Sequence, residues 1–249
     1  MLYRLLRKSL RPMGYELKRI RPISSASSSE NIAFLHISKN AGTQITGLSK
    51  QIEALTGKVI LDYRHEVRLK EIDVSMAYFF SIRDPIARFK SGFYSRKRKG
   101  RPRYNNEWKE YEACAFSDFE HANDLAESLF DKGLRGQKAL MAIESIAHTS
   151  RHQIQTFAFS GYFIEKRPPI WIIRQDNFEE DFECFLRKAD IGLGLSDLVI
   201  ETDAKSSHRN SYEGIPELSS KAKNNLSRWY IRDIEFYRVC EAWMNENTA

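Results

Sequence analysis

The chain has 249 residues, 42% of them hydrophobic, and a formal net charge of +6 with an isoelectric point near 9.1. That size and apolar content are enough for a full core in one large domain. Cys114, Cys184 and Cys240 are far apart and form no C-x-x-C pair, which argues against a disulfide framework or a zinc site. No apolar run reaches membrane-spanning length and no signal-peptide core opens the chain, so a cytoplasmic protein in a reducing compartment is expected.

The charge is unevenly placed. Residues 1–21 hold seven cations and one acid, which leaves 32 cations and 32 acids in the remainder. The body is therefore neutral overall, and a nucleic-acid partner is not expected. In residues 1–20, Leu2, Leu5, Leu6, Leu10 and Met13 fall at helical spacing beside a cationic face. This is the pattern of a basic amphipathic helix that lies on a membrane surface or docks on a partner, or that packs on the protein itself. A peripheral contact with the inner face of the membrane follows from the first reading. The serine-rich residues 21–30 read as a linker, and residues 31–249 as the domain.

Within that domain, strand and helix signals alternate. NIAFLHI (31–37) is a strand, and Ile45, Leu48, Ile52 and Leu55 then make the apolar face of a helix. VILDY (59–63) is a further apolar segment that ends near His65. AYFFSI (77–82) is a buried strand, followed by Asp84 as N-cap, Pro85 as first helical residue, and Ile86, Phe89 and Phe93 facing inward. WIIRQDNF (171–178) repeats the step, with Phe178, Phe182 and Phe185 inward. One long helix is predicted from about Pro216 to Met244, with Leu218, Ala222, Leu226, Trp229, Ile234, Tyr237 and Val239 available for burial. The alternation predicts an α/β fold: a single P-loop-like domain with a central parallel sheet flanked by helices, binding ligands at the carboxyl ends of its strands.

The turn after the first strand, HISKNAGTQ (36–44), has the makings of an anion cradle. Ala41 and Gly42 let backbone N–H groups turn toward a ligand, the helix N-terminus adds partial positive charge, and Lys39 adds a full one. In the common NTPase loop the lysine follows the last glycine; here it precedes Gly42 and Thr43. The second loop, SIRDPIARFKS (81–91), places Arg83 at a strand end and Ser91 eight residues on.

Together these segments resemble the nucleotide-binding signatures of sulfotransferases that use 3'-phosphoadenosine 5'-phosphosulfate (PAPS). They are closest to the carbohydrate branch, whose loops read much like HIPK[TN][AG]GT[ST] and R-[DN]-P-x-x-R-x-x-S. HQIQTFAFSG (152–161), IIRQDNFEEDFECFL (172–186), SHRNSY (207–212) and residues 218–237 are similar to later blocks of that family in the same order. The resemblance implies transfer of a sulfo group from PAPS to a hydroxyl of a polysaccharide or glycolipid, with no metal. It implies that Lys39, Asn40, Ala41, Gly42, Thr43 and Gln44 surround the 5'-phosphosulfate and that Arg83 and Ser91 hold the 3'-phosphate. Ser207, His208 and Arg209 would fold over the nucleotide. Two positions depart from the family pattern: Ser38 replaces the usual proline, and Gln44 the usual hydroxyl residue.

Such a transfer needs positive charge where negative charge accumulates, the role of Lys39, and a base for the acceptor proton. His65 is the first candidate base, because many carbohydrate sulfotransferases have a catalytic histidine there and an imidazole suits proton abstraction near neutral pH. Glu66 is the rival. His36 reads as structural, and His121, His148 and His152, in helical surroundings, as ordinary surface or core residues. RKRKGRPR (96–103) reads as a solvated run or as a docking strip for an anionic carbohydrate, with Tyr104, Trp108 and Tyr111 as platforms for sugar rings. Two other classes stay open: a P-loop small-molecule kinase, which should carry a G-K-[ST] triplet that this chain lacks, and a noncatalytic module that binds nucleotide or polyanion.

Overall fold

Four apolar runs pair side by side in the computed structural model, which describes residues 31–157, 162–200 and 213–248. The expected N-terminal helix and linker, and Ser207, His208 and Arg209, lie outside the described residues. The strands are β1 (Ile32–Leu35), β2 (Ile60–Tyr63), β3 (Tyr78–Ile82) and β4 (Ile172–Arg174). All are parallel, in the order β2, β1, β3, β4. Every residue of β1 and β3 is buried, as expected of central parallel strands covered on both faces. The chain is thus an α/β domain built on a four-stranded parallel sheet.

Helix α1 (Gly42–Thr56) follows β1 and stops at Gly57, whose φ of 74° only glycine adopts without strain. Its inward face is Ile45, Leu48 and Ile52; Leu55, expected inside, is 59% exposed because the apolar stripe has turned away from the sheet by then. Helix α2 (Pro85–Lys97) follows β3, and its cap is the predicted one: the Asp84 carboxylate accepts the Ala87 N–H at 2.7 Å. Three short helices then form a separate layer, α3 (Glu110–Asp118), α4 (Ala122–Ser128) and α5 (Leu134–Ser145). After α6 (Tyr162–Lys166) and β4 comes α7 (Phe178–Lys188), whose Phe182 and Phe185 are fully buried.

The long C-terminal helix is two helices. α8 (Ser220–Trp229) begins at its Ser219 cap rather than at Pro216, and α9 (Ile231–Glu246) follows a bend at Tyr230. Tertiary bonds hold the bend: the Tyr230 hydroxyl donates to the Thr149 carbonyl at 2.6 Å, and the Asp233 carboxylate accepts the N–H groups of Gln153 and Ile154. The buried face of α9 is accordingly Asp233, Phe236, Cys240 and Met244, while Val239, expected inside, is exposed.

The core has two parts. One surrounds the sheet and stacks Phe34, Phe79 and Phe185; the other is helical and packs Phe89 and Phe93 of α2 against Phe116, Phe119, Leu125, Ile143, Leu226 and Tyr230. Each large side chain buried in either part is worth about 1.5–3 kcal/mol over leaving it in water. Among the described residues no helix is long and apolar enough to cross a membrane.

Candidate functional site

A cavity of about 980 Å³ opens at the carboxyl ends of the strands, where parallel sheets place their ligands. It is walled by the loop after β1, the end of β3, one face of α2 and the loop between β4 and α7. Lys39, Ala41, Gly42, Thr43, Gln44, His65, Arg83 and Ser91 all line it, so nearly every described residue that the sequence singles out converges on one space.

The loop after β1 is strained in a way that suits an anion. Lys39 and Ala41 have positive φ (71° and 59°) although neither is glycine, at a cost of about 1–2 kcal/mol each. Such outliers point toward function when the surroundings hold them in place. Here they do. Asn40 donates through Nδ2 to the Ser81 carbonyl (2.8 Å) and to Gln153 Oε1 (2.6 Å), while Ser81 Oγ donates back to the Asn40 carbonyl. Asn40 is fully buried and does not line the cavity. Its side chain therefore anchors the loop from behind. Helix α1 starts without a side-chain cap and without an acid in its first turn, so its leading N–H groups are left for a ligand. Gly42 is required for a second reason: a Cβ there would lie 1.7 Å from His36 Nε2.

Two residues unremarked in the sequence lock the loops together. Gln153 accepts from Asn40 and from the Arg83 N–H (3.1 Å) and donates to the Arg83 carbonyl (2.8 Å), so one buried amide sets the spacing of both anion loops. Arg88, 2% exposed, donates to the Ser38 carbonyl (3.0 Å), Ser38 Oγ (3.2 Å) and the Arg151 carbonyl (2.8 Å). Arg88 is the second arginine of the RDPIAR motif, which was the available signal; Gln153 had none beyond its place in the HQIQT block.

Cations crowd this site. Burial, and after it the charges of Arg83, Arg98 and Arg88, lower the Lys39 pKa to about 8. An anion placed among them would relieve both effects.

Three histidines share the cavity. His36 Nδ1 lies 3.0 Å from Asp62, which also accepts from Thr46 Oγ1, so Thr46 is already engaged. His65 sits edge-on to His36, ring centroids 4.3 Å apart, with Nδ1 3.0 Å from the His36 carbonyl. A carbonyl only accepts, so Nδ1 carries the proton and Nε2 keeps its lone pair. The walls desolvate His65 and, with the neighbouring His36, hold its pKa below the ordinary histidine value despite the hydrogen bond from Nδ1. Glu66, the rival base, does not line this cavity; it lies 3.4 Å from Arg151. His148, ordinary by its sequence context, lines the cavity at a φ of 76°, and burial followed by the Lys39 charge holds its pKa well below the usual value. Gly92 admits it, since a Cβ there would come within 3.2 Å of His148 Cβ.

The first half of the basic run, Arg96 to Lys99, is drawn inward, while Arg101 and Arg103 stay exposed. Arg96 is buried and grips Glu112 through Nε (2.7 Å) and Nη2 (2.5 Å), and it lines the cavity. Lys97 donates to the Glu120 carbonyl, Lys99 pairs with Glu107, and Arg101 bonds Asn105. Trp108, expected as a sugar platform, donates Nε1 to the Arg96 carbonyl (2.7 Å) and packs on Phe116, so its ring belongs to the helical core. Tyr104 does line the cavity and is half exposed; Tyr111 is half exposed on α3. Gln175, Asp176, Asn177, Glu179 and Glu180 form a polar wall that the strand-to-helix step at 171–178 placed at this edge without naming its residues.

No family model, curated protein or solved structure matches this chain.

Proposed function

We propose that the chain is a PAPS-dependent carbohydrate sulfotransferase. The observation that carries this reading is the convergence of Lys39, an uncapped helix N-terminus, Arg83 and Ser91 on one cavity in which burial, and after it like charge, lowers the Lys39 pKa to about 8. A cavity of 980 Å³ is ample for a nucleotide. A nucleotide with a phosphate at each end of its ribose matches two anion loops held at fixed spacing by Gln153. In the transfer, the acceptor oxygen forms a bond to sulfur as the bond from sulfur to the 5'-phosphate oxygen breaks. The electron pair of the broken bond stays on the phosphate, where Lys39 and the α1 N–H groups neutralise it. The acceptor proton passes to His65 Nε2, the nitrogen left with a lone pair. Glu66, directed to Arg151, fits this role less well.

Thermal stabilisation provides the test. Adenosine 3',5'-bisphosphate should stabilise the folded chain by mass action, about 2.7 kcal/mol at a hundredfold excess over its Kd. ATP, which lacks the 3'-phosphate, should do less, and Arg83→Ala should erase the difference. Equal stabilisation by the two nucleotides would overturn the assignment. Activity itself is read as a mass gain of one sulfo group on a carbohydrate acceptor supplied with PAPS.

A further inference from the structure

His65 belongs to two cavities. On its other side lies a second one of about 240 Å³, lined by Glu66, Arg68, Arg151, Gln155 and Thr156 and floored by Ser38 and the buried Arg88. It is smaller than the roughly 300–1,000 Å³ of sites that enclose drug-sized ligands, so it suits a single sugar unit and not a nucleotide. Three guanidiniums line it against one carboxylate. Arg88 is fully engaged by Ser38 and Arg151, which leaves Arg68 and Arg151 to meet a ligand. Arg68 is exposed and enters no ion pair among the described residues. Arg151 is half exposed, and its contacts to the Glu66 carboxylate and to the His65 carbonyl are both long, at 3.4 Å. Those long contacts are easily exchanged for the shorter, paired bonds that a guanidinium makes with a well-placed oxyanion.

From this we infer that the second cavity is the acceptor subsite and that it selects sugars bearing an anionic substituent, with Arg151 and Arg68 as its readers. The inference rests on the sulfotransferase reading for its catalytic meaning. An acidic sugar held by Arg151 would displace Glu66 from that guanidinium. Because His65 stands between the two cavities, a hydroxyl on the bound unit would face the nucleotide cavity across the imidazole that takes its proton. Glu66 is then a competitor for Arg151, present while the subsite is empty, which accounts for a carboxylate beside the base that takes no part in the transfer. In the 96–103 run expected to hold an anionic acceptor, Arg96 is engaged by Glu112, Lys99 by Glu107 and Lys97 by the Glu120 carbonyl, whereas Arg68 and the loosely held Arg151 line the second cavity beside His65.

The experiment uses the full chain with and without adenosine 3',5'-bisphosphate and titrates three tetrasaccharides by calorimetry: one with glucuronate carboxylates, one neutral chain carrying a sulfate ester, and the same neutral chain unmodified. An anionic tetrasaccharide should bind at least about tenfold more tightly than the neutral one, and comparing the carboxylate and sulfate chains tells which anion the arginines read. Arg151→Gln and Arg68→Gln should each weaken the anionic ligand about tenfold or more, as loss of a charged hydrogen bond does. Neither should change the affinity for the bisphosphate by more than about twofold, since neither lines the nucleotide cavity. Glu66→Gln should tighten binding of the anionic tetrasaccharide. Equal binding of all three glycans, or anionic affinity untouched by both arginine variants while the bisphosphate still binds, overturns the acceptor inference alone. A chain that binds no bisphosphate overturns the sulfotransferase reading, and the acceptor role of this cavity with it.

Discussion

The sheet and the helical layer wall the same cavity but are held by different chemistry. On the sheet side, Lys39, Arg83 and the α1 N-terminus are set by backbone geometry and by uncharged bonds through Asn40, Ser81 and Gln153, and no carboxylate bonds the Lys39 ammonium among the described residues. On the helical side, Arg96 reaches the cavity already neutralised by Glu112, whose carboxylate also accepts the Ala147 and Lys109 N–H groups. On the sheet side the Lys39 ammonium keeps its positive charge for a ligand, and on the helical side Arg96 commits its charge to structure. A site that must bind and release an anion needs the first arrangement where the charge works and the second where the wall must stay put.

His65 is where breaking the sheet side should do the greatest damage. With Nδ1 committed to the His36 carbonyl, Nε2 is the proton acceptor, and His65→Ala should lower turnover by about 10²- to 10⁴-fold, the range for a positioned acid–base group. Affinity for adenosine bisphosphate should barely move. Because the folded site holds the imidazole pKa below the ordinary value, the base stays unprotonated at neutral pH, and turnover falls only when acid charges it. Single-turnover rates across pH for wild type and His65→Ala measure this. A variant with near wild-type turnover would remove His65 from the reaction and return the role to Glu66.

Glu112 tests the other side. Glu112→Gln breaks a buried bidentate pair while keeping one acceptor, so it should cost roughly 1–3 kcal/mol in urea unfolding at pH 7. Its bonds to Arg96 and to the two N–H groups lower the Glu112 pKa against the cost of its burial. A carboxylate with a lowered folded pKa stabilises above the ordinary glutamate value near 4.5, and that stability is lost as pH falls through the folded value. The gap between wild type and Glu112→Gln should therefore be constant near neutrality and close below about pH 4.5. A gap that does not change as pH falls through the acid range would assign Glu112 a packing role and not an electrostatic one.

The same division explains what could be read from the chain. The strands, the Asp84 cap, the inward phenylalanines of α7 and the cation-bearing loop are local signals: an apolar run, a capping pair, a lysine among small residues before a helix. The residues that were missed are placed by partners far away in sequence. His148 enters the cavity because Gly92, 56 positions earlier, leaves room for it. Gln153 is an uncharged side chain whose meaning lies in Asn40 and Arg83. The break at Tyr230 divides a run whose periodicity reads as continuous, because Thr149 and the Gln153 backbone claim the tyrosine hydroxyl and Asp233. The run at 96–103 reads as solvated because its carboxylate partners at 107, 112 and its carbonyl at 120 lie beyond the window in which charge pairs along a helix are recognised.

The smallest expected effect is also the most specific to the sheet side. If Lys39 has a pKa of about 8 in the unliganded chain, it is roughly half protonated at pH 8 and about three-quarters deprotonated at pH 8.5. Burial and the charges of Arg83, Arg98 and Arg88 cause that depression, and a bound bisphosphate opposes it by placing negative charge among the same cations. The lysine pKa must then rise on binding, so the complex takes up protons: about 0.1 per site at pH 7 and about 0.7 at pH 8.5. Affinity should fall as pH rises through 8, because each complex formed there must first recruit a proton. Calorimetric titration of adenosine 3',5'-bisphosphate in two buffers of different ionisation enthalpy reads the uptake directly. Lys39→Arg, which stays charged throughout this range, should abolish it while retaining binding. Uptake that persists in Lys39→Arg would move the titrating group off the loop, with the neighbouring His148 next in line.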